Sequence, residues 1–178
     1  MEALSKAGLQ FGGMADNENK HPQRWKDTKA KLGDNLCRWD NGCIEEEVLA
    51  AVSDAGLEQF INDPSGEMTG VRLRTLANRL GIDDKSFPAL QAKGGSKLRE
   101  IIAQACRGKV PDDKKGADRS VRKELERDAQ AWFKSLDGGR ELADKVFTMN
   151  LQPKFEARLL PFINAVRAGV SEPSVARL

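Results

Sequence analysis

Two groups of acids carry residue types and spacing suited to a divalent cation. The first closes an apolar run, Leu9-Gln10-Phe11-Gly12-Gly13-Met14-Ala15, which ends in Asp16-Asn17-Glu18. The second, Glu45-Glu46-Glu47, follows Trp39-Asp40-Asn41-Gly42-Cys43-Ile44. Alternate side chains of an extended strand share a face, so Asp16 and Glu18 can both reach one site beyond the strand's carboxyl end. Carboxylate oxygens are hard ligands that suit magnesium or manganese, and no histidine is required. In the triple-acid run, successive helical side chains are turned by about 100°, so at most two of the three face one site. Acids in a first helical turn also stabilise the helix dipole with no metal at all.

The elements that must position these acids follow from the apolar spacing. A strand ends near Ala15, a short helix spans about Trp25 to Leu32 and closes at Gly33, and Leu36-Cys37-Arg38-Trp39 forms a second strand. This order suggests two neighbouring parallel strands of an α/β sheet, with sites beyond their carboxyl ends. After Gly42 the pattern turns helical. Ile44, Val48, Leu49 and Val52 mark one helix, and Ser53-Asp54 caps a short one through Leu57, Phe60 and Ile61. Asn62 to Gly66 is a turn by composition. Val71, Leu76 and Leu80 define a helix ended by Gly81, and Leu98, Ile101, Ile102 and Ala105 one ended by Gly108. Residues 112–119 form a charged connector. Val121, Leu125, Trp132 and Phe133 predict a long amphipathic helix, punctuated by Asp137-Gly138-Gly139 before Leu142, Ala143, Val146 and Phe147. Phe155, Leu159, Phe162, Ile163 and Val166 mark the last helix, and the tail over 171–178 is expected to fray. The fold class expected is α/β: a partial parallel sheet of few short strands over residues 1–53, with a predominantly helical extension over 54–170.

Composition narrows the function. With 29 basic and 27 acidic residues and a formal charge of +2, the chain lacks the basicity of a DNA-coating protein, so nucleic-acid affinity must come from local patches. Lys97, Arg122 and Arg140 are candidates for such contacts, although the acids interleaved around Arg122 better suit a solvated, salt-bridged helix. Cys37, Cys43 and Cys106 contain no C-x-x-C pair and accompany one histidine, which argues against a disulfide framework or structural zinc. His21 stands before Pro22 in a polar loop and reads as a solvated side chain. Trp25, Trp39 and Trp132 lie in apolar patterns and read as packing residues rather than base-stacking platforms. No apolar stretch approaches the ~18 residues of a membrane helix, and the amino terminus lacks a signal core; a cytoplasmic address is expected.

Three segments together resemble a known family: Phe11-Gly12-Gly13-Met14-Ala15-Asp16-Asn17-Glu18, then Arg38-Trp39-Asp40-Asn41-Gly42-Cys43-Ile44-Glu45-Glu46, then Trp132-Phe133-Lys134-Ser135 with Gly138-Gly139-Arg140-Glu141-Leu142-Ala143. In order and spacing they resemble the carboxy-terminal Toprim nuclease region of OLD-family (overcoming lysogenization defect) proteins, from about residue 9 to about residue 168. In that family an amino-terminal ABC-type ATPase is joined to a Toprim domain that cuts DNA with divalent metals, in defence against phage or mobile DNA. The resemblance implies Mg2+ or Mn2+ ligation by Asp16, Glu18 and Glu45, with Glu46 as an adjacent acid. It implies a catalytic lysine at Lys134, with Arg140 as the alternative. Cys43, whose thiol is a softer and poorer magnesium ligand than a hydroxyl, stands where the family has serine.

Nothing before Asp16 matches the strand ending in a glutamate-glycine pair with which Toprim nucleases open. The chain also lacks a G-x-x-x-x-G-K-[ST] phosphate loop, so it is not expected to hydrolyse ATP. It is therefore expected to be a carboxy-terminal piece that works with an ATPase portion in cis or in trans, with DNA as substrate and its oligomeric state left open. A non-catalytic helical interaction module and a nucleic-acid-binding module are the alternatives.

Overall fold

In the computed structural model, which describes residues 12–17, 20–39, 42–108 and 119–169, helix predominates and two short strands form a parallel sheet. In chain order the elements are β1 (Gly13–Ala15), α1 (Pro22–Leu32), β2 (Leu36–Arg38), α2 (Ile44–Ala51), α3 (Leu57–Ile61), α4 (Thr69–Leu80), α5 (Phe87–Gly94), α6 (Leu98–Cys106), α7 (Arg119–Gln130), α8 (Leu136–Thr148) and α9 (Pro153–Gly169). They fall into two compact units. Residues 1–42 with 152–178 make the first, and Cys43–Leu151 the second, so the boundary expected between residues 53 and 54 lies inside the second unit, whereas the turn to a helical pattern after Gly42 falls at the edge between the units. Glu18, the connector over 112–118, the tail over 171–178 and the side chain of Arg122 lie outside what is described.

The first unit is built around the parallel pair, in register Gly13 to Leu36, Met14 to Cys37 and Ala15 to Arg38. The ladder extends by one bond, Trp39 N donating to Ala15 O at 3.1 Å. Parallel strands need a crossover, and α1 supplies it. Gly33 turns the chain at φ 54, and Lys29 Nζ donates to Gly33 O and Leu36 O, both at 2.8 Å, fastening the helix end to the start of β2. Helix α9 packs on β2 and on the turn before it. A Cβ at Gly12 would stand 2.9 Å from Asn35 O and 3.1 Å from Val166 Cγ2, so only glycine permits this approach. Trp39 is 4% exposed and meets Phe155 edge-on at 6.3 Å, which buries two large rings under α9.

The second unit is a helical assembly whose core includes Leu49, Phe60, Ile61, Leu76, Leu90, Leu98, Ile102 and Trp132. Helix α4 ends at Gly81, φ 65, as expected of a left-handed cap. Helix α5 was not anticipated; Ser86 Oγ caps it by accepting from Ala89 N at 3.4 Å, and Pro88 lies in its first turn. The long amphipathic helix needs correction. Helix α7 stops at Gln130, because Trp132 and Phe133 turn inward and Phe133 adopts φ 64. The Asp137-Gly138-Gly139 break is likewise absent: these residues form the first turn of α8, since Ser135 Oγ accepts from Gly138 N at 3.0 Å and starts the helix ahead of them.

A buried guanidinium holds this corner. Arg72, fully buried on α4, donates through Nε to Ala131 O at 2.7 Å and through Nη1 to Ile61 O at 3.0 Å. It also grips both carboxylate oxygens of Glu141, at 2.7 and 2.6 Å, and lies 4.3 Å from the centre of the Phe133 ring. Lys145, 4% exposed, donates to Gln59 O and Asn62 O and pairs with Glu141 at 3.4 Å. The two cations thus satisfy carbonyls at the end of α3 that have no partner within that short helix.

Two predictions follow from the turn into α8. A Cβ at Gly138 would stand 2.7 Å from Phe133 Cα, whereas one at Gly139 meets nothing within 4 Å. In urea unfolding, Gly139→Ala therefore gains about 0.5–1 kcal/mol from helix propensity, while Gly138→Ala loses about 1–3 kcal/mol to overpacking. Arg72→Met leaves a carboxylate and two carbonyls without their donor, and the same measurement should show a loss of about 3–5 kcal/mol.

Candidate functional site

Within the second unit, two of the implied residues meet. Lys134 Nζ lies 2.7 Å from Glu45 Oε1, although 89 positions separate them in the chain. Glu45 sits in the first turn of α2, where Cys43 is the N-cap with extended backbone. The cap is reciprocal: the backbone N–H of Glu46 points to the Cys43 side chain, while Cys43 N donates to Glu46 Oε2 at 3.2 Å; the thiol also lies 3.5 Å from that oxygen. Glu46 Oε1 forms an ion pair with Arg107, just beyond the end of α6. Both acids are buried, at 5% and 8% exposure, yet each faces a different cation. That divergence follows from the turn per residue along a helix. Glu47 is only half-buried.

The charges set the protonation states. Burial pulls the Lys134 ammonium down, but the hydrogen bond and charge of Glu45, helped by Cys43 and Cys106, hold its pKa above the ordinary value. Burial first, and then neighbouring Glu45, push the Cys43 thiol up to about 12. Cys106, fully buried, is raised in the same way by burial and then by the charges of Cys43 and Glu45. Cys43 is thus a protonated thiol at neutral pH and serves as the N-cap of α2.

The remaining described candidates lie on other elements. Asp16 is exposed directly after the carboxyl end of β1, in the first unit. His21 is exposed as the N-cap of α1, with φ 52. Lys97 is exposed at the end of a 3-10 turn joining α5 to α6, and Arg140 is exposed on α8 with Asp137 3.4 Å away.

For a divalent ion, the fit differs between the two buried acids. Both oxygens of Glu46 are taken, by Cys43 and Arg107, so Glu46 does not fit as a ligand. Glu45 is the better fit, because Oε2 is buried and has no hydrogen-bond partner among the described residues. Among the described residues, no group of three or more His, Cys, Asp or Glu side chains is gathered in metal-holding geometry.

Sequence reasoning missed Arg107 as the partner of Glu46 and missed the Arg72–Glu141–Lys145 cluster. A signal for Arg72 was present: it lies one turn before Leu76, on the apolar stripe of its helix. Comparison with family models, with curated proteins and with solved structures finds no match to this chain.

The Cys43 thiol gives a pH prediction. Its folded pKa of about 12 exceeds the ordinary 9.0, so the folded chain keeps a proton that the unfolded chain releases. Stability is therefore intact below about pH 9 and falls as pH rises from there toward 12. Urea unfolding at stepped pH should show this decline, with a shallower slope for Cys43→Ala, and Ellman's reagent should react with the native thiols at pH 8 only after denaturant is added. Lys134→Ala, which strands a buried carboxylate, should cost about 1–3 kcal/mol at neutral pH by the same unfolding measurement.

Proposed function

We propose that this chain is the carboxy-terminal, Toprim-type part of an OLD-type metal-dependent DNA endonuclease, cytoplasmic and acting in defence against phage or mobile DNA. The observation that carries the reading is the Glu45–Lys134 pair. The resemblance singled out both residues independently, and they are in contact across 89 positions of sequence. The short parallel pair with Asp16 directly after β1 supports it further, since sites in such sheets form beyond the carboxyl ends of strands.

On this reading Glu45 offers Oε2 to a magnesium or manganese ion, and Asp16 and Glu18 have the same ligand role by resemblance. A divalent ion supplies an activated water and stabilises the leaving oxygen of a phosphodiester. Lys134, held as a cation, lies beside that acid. Its ammonium group can neutralise charge that grows on the phosphoryl oxygens during attack. The ion pair with the buried carboxylate of Glu45 keeps the ammonium group in place, so little reorganisation is needed when that charge develops. DNA is the substrate, and an ABC-type ATPase portion, in cis or in trans, is the partner the reading implies.

A second reading, a non-catalytic helical interaction or nucleic-acid-binding module, is favoured by one specific observation. Glu46 and one oxygen of Glu45 are already engaged inside the fold, as caps and ion-pair partners.

Nicking of supercoiled plasmid with magnesium or manganese separates the two, supported by thermal melting with each ion. The endonuclease reading expects nicking that falls roughly 100-fold or more in Glu45→Ala, Lys134→Ala and Asp16→Ala. It also expects a metal-dependent rise in melting temperature that Glu45→Ala abolishes. Equal nicking by all variants, or neither nicking nor a melting shift in the wild type, would sink it and leave the second reading.

A further inference from the structure

The first unit contains a cavity of about 480 Å³ formed by one face of α1, strand β2 and the middle of α9. That volume lies in the ~300–1,000 Å³ range of small-molecule sites. Its lining combines two chemistries. Trp25, Trp39 and Phe162 provide aromatic surface, while Lys26, Lys29, Arg38 and Arg158 set four cations against a single acid, Asp34. An inorganic anion has no use for the rings, and a neutral apolar ligand has no use for the cations. An aromatic ring that carries a phosphate uses both.

Three further observations point to such a ligand. Arg38 Nη2 donates to Asn17 Oδ1 at 2.6 Å, and Nε of the same side chain is buried without a hydrogen-bond partner among the described residues. A pocket-lining guanidinium is therefore held in a fixed orientation. The Arg38 guanidinium carbon lies 4.8 Å from the centre of the Trp25 ring, and that of Arg158 lies 5.5 Å from the centre of Trp39. Each ring thus has a cation beside it, and aromatic and cationic groups meet at one wall of the cavity. Finally, α1 has no acid in its first turn, and Pro22 at that end lines the cavity, so the positive end of the helix dipole is not neutralised by its own side chains. The sequence pattern assigned all three tryptophans to packing. Trp39 and Trp132 are buried as expected, at 4% and 0% exposure, but Trp25 is only half-buried and lines the cavity.

We propose that this cavity is a nucleotide pocket, in which a base stacks against Trp25 and its phosphate is held by Arg38, Arg158 and Lys26. The ligand is either a free nucleotide or an unpaired nucleotide of a DNA strand, since both present the same ring and phosphate. The proposal does not depend on cleavage. Its test is run in EDTA, so failure of the nuclease reading leaves it standing, and its own failure leaves that reading untouched.

The full chain is titrated with adenosine monophosphate, with ribose 5-phosphate and with a thymidine octanucleotide, followed by tryptophan fluorescence and calorimetry. Adenosine monophosphate should quench the fluorescence, and ribose 5-phosphate should bind about tenfold more weakly or worse, because it lacks the stacking base. Trp25→Leu and Arg38→Ala should each weaken nucleotide binding about tenfold or more, with unchanged circular dichroism. Lys26→Ala, at an exposed position where folding is not at stake, should weaken it several-fold and reduce its salt dependence. Tighter binding of the octanucleotide identifies a DNA strand as the source, and tighter binding of the mononucleotide identifies the free ligand. Absence of binding by both, equal affinity for ribose 5-phosphate and the nucleotide, or full affinity in Trp25→Leu and Lys26→Ala would overturn the proposal.

Discussion

The second unit depends on the burial of one guanidinium. Arg72 spends its donors on the end of α3, on the turn after α7 and on Glu141 of α8, so a single side chain ties three separate stretches of chain to α4. A charge taken this far out of water is tolerated only when it is fully hydrogen-bonded, and here the planar fork of arginine meets a carboxylate at two oxygens. The consequence reaches the candidate site. Arg72 holds the carbonyl of Ala131 and faces the ring of Phe133, whose left-handed backbone swings the chain immediately before Lys134. The position of the lysine beside Glu45 is thus set by an arginine elsewhere in the fold.

The same economy of buried charge runs through the start of α2. Glu45 and Glu46 share one helical turn, and each needs a cation from a distant element, Lys134 for the first and Arg107 for the second. Glu46 has exhausted its oxygens in doing so and acts as the reciprocal partner of the Cys43 cap. Glu45 has not. Its second oxygen is buried and, among the described residues, has no hydrogen-bond partner, which costs stability. The two adjacent acids thus differ in how fully the fold satisfies them.

The first unit shows a different balance. Its strands are three residues each, and a two-stranded sheet of that size has little stability of its own. The packing of α9 over β2, the Trp39–Phe155 contact and the tether from Lys29 compensate. The same packing leaves the cationic and aromatic residues of α1, β2 and α9 facing a common space.

Much of the local structure was legible in the chain. Apolar spacing placed α2, α4, α6 and α9, the glycines at 33 and 81 marked helix ends, and the strand–helix–strand order foretold the parallel pair, because period and capping are local properties of sequence. Local rules failed where tertiary demands overrode them. Trp132 and Phe133 continue a helical pattern, yet they leave the helix to fill the core, and two glycines that read as a break became a first turn once Ser135 capped it. The residue types needed for the candidate chemistry were present in the sequence from the start. Which carboxylate oxygen is satisfied, which cation satisfies it and which tryptophan stays at a surface were decided only by packing, because each depends on groups brought together from positions tens of residues apart.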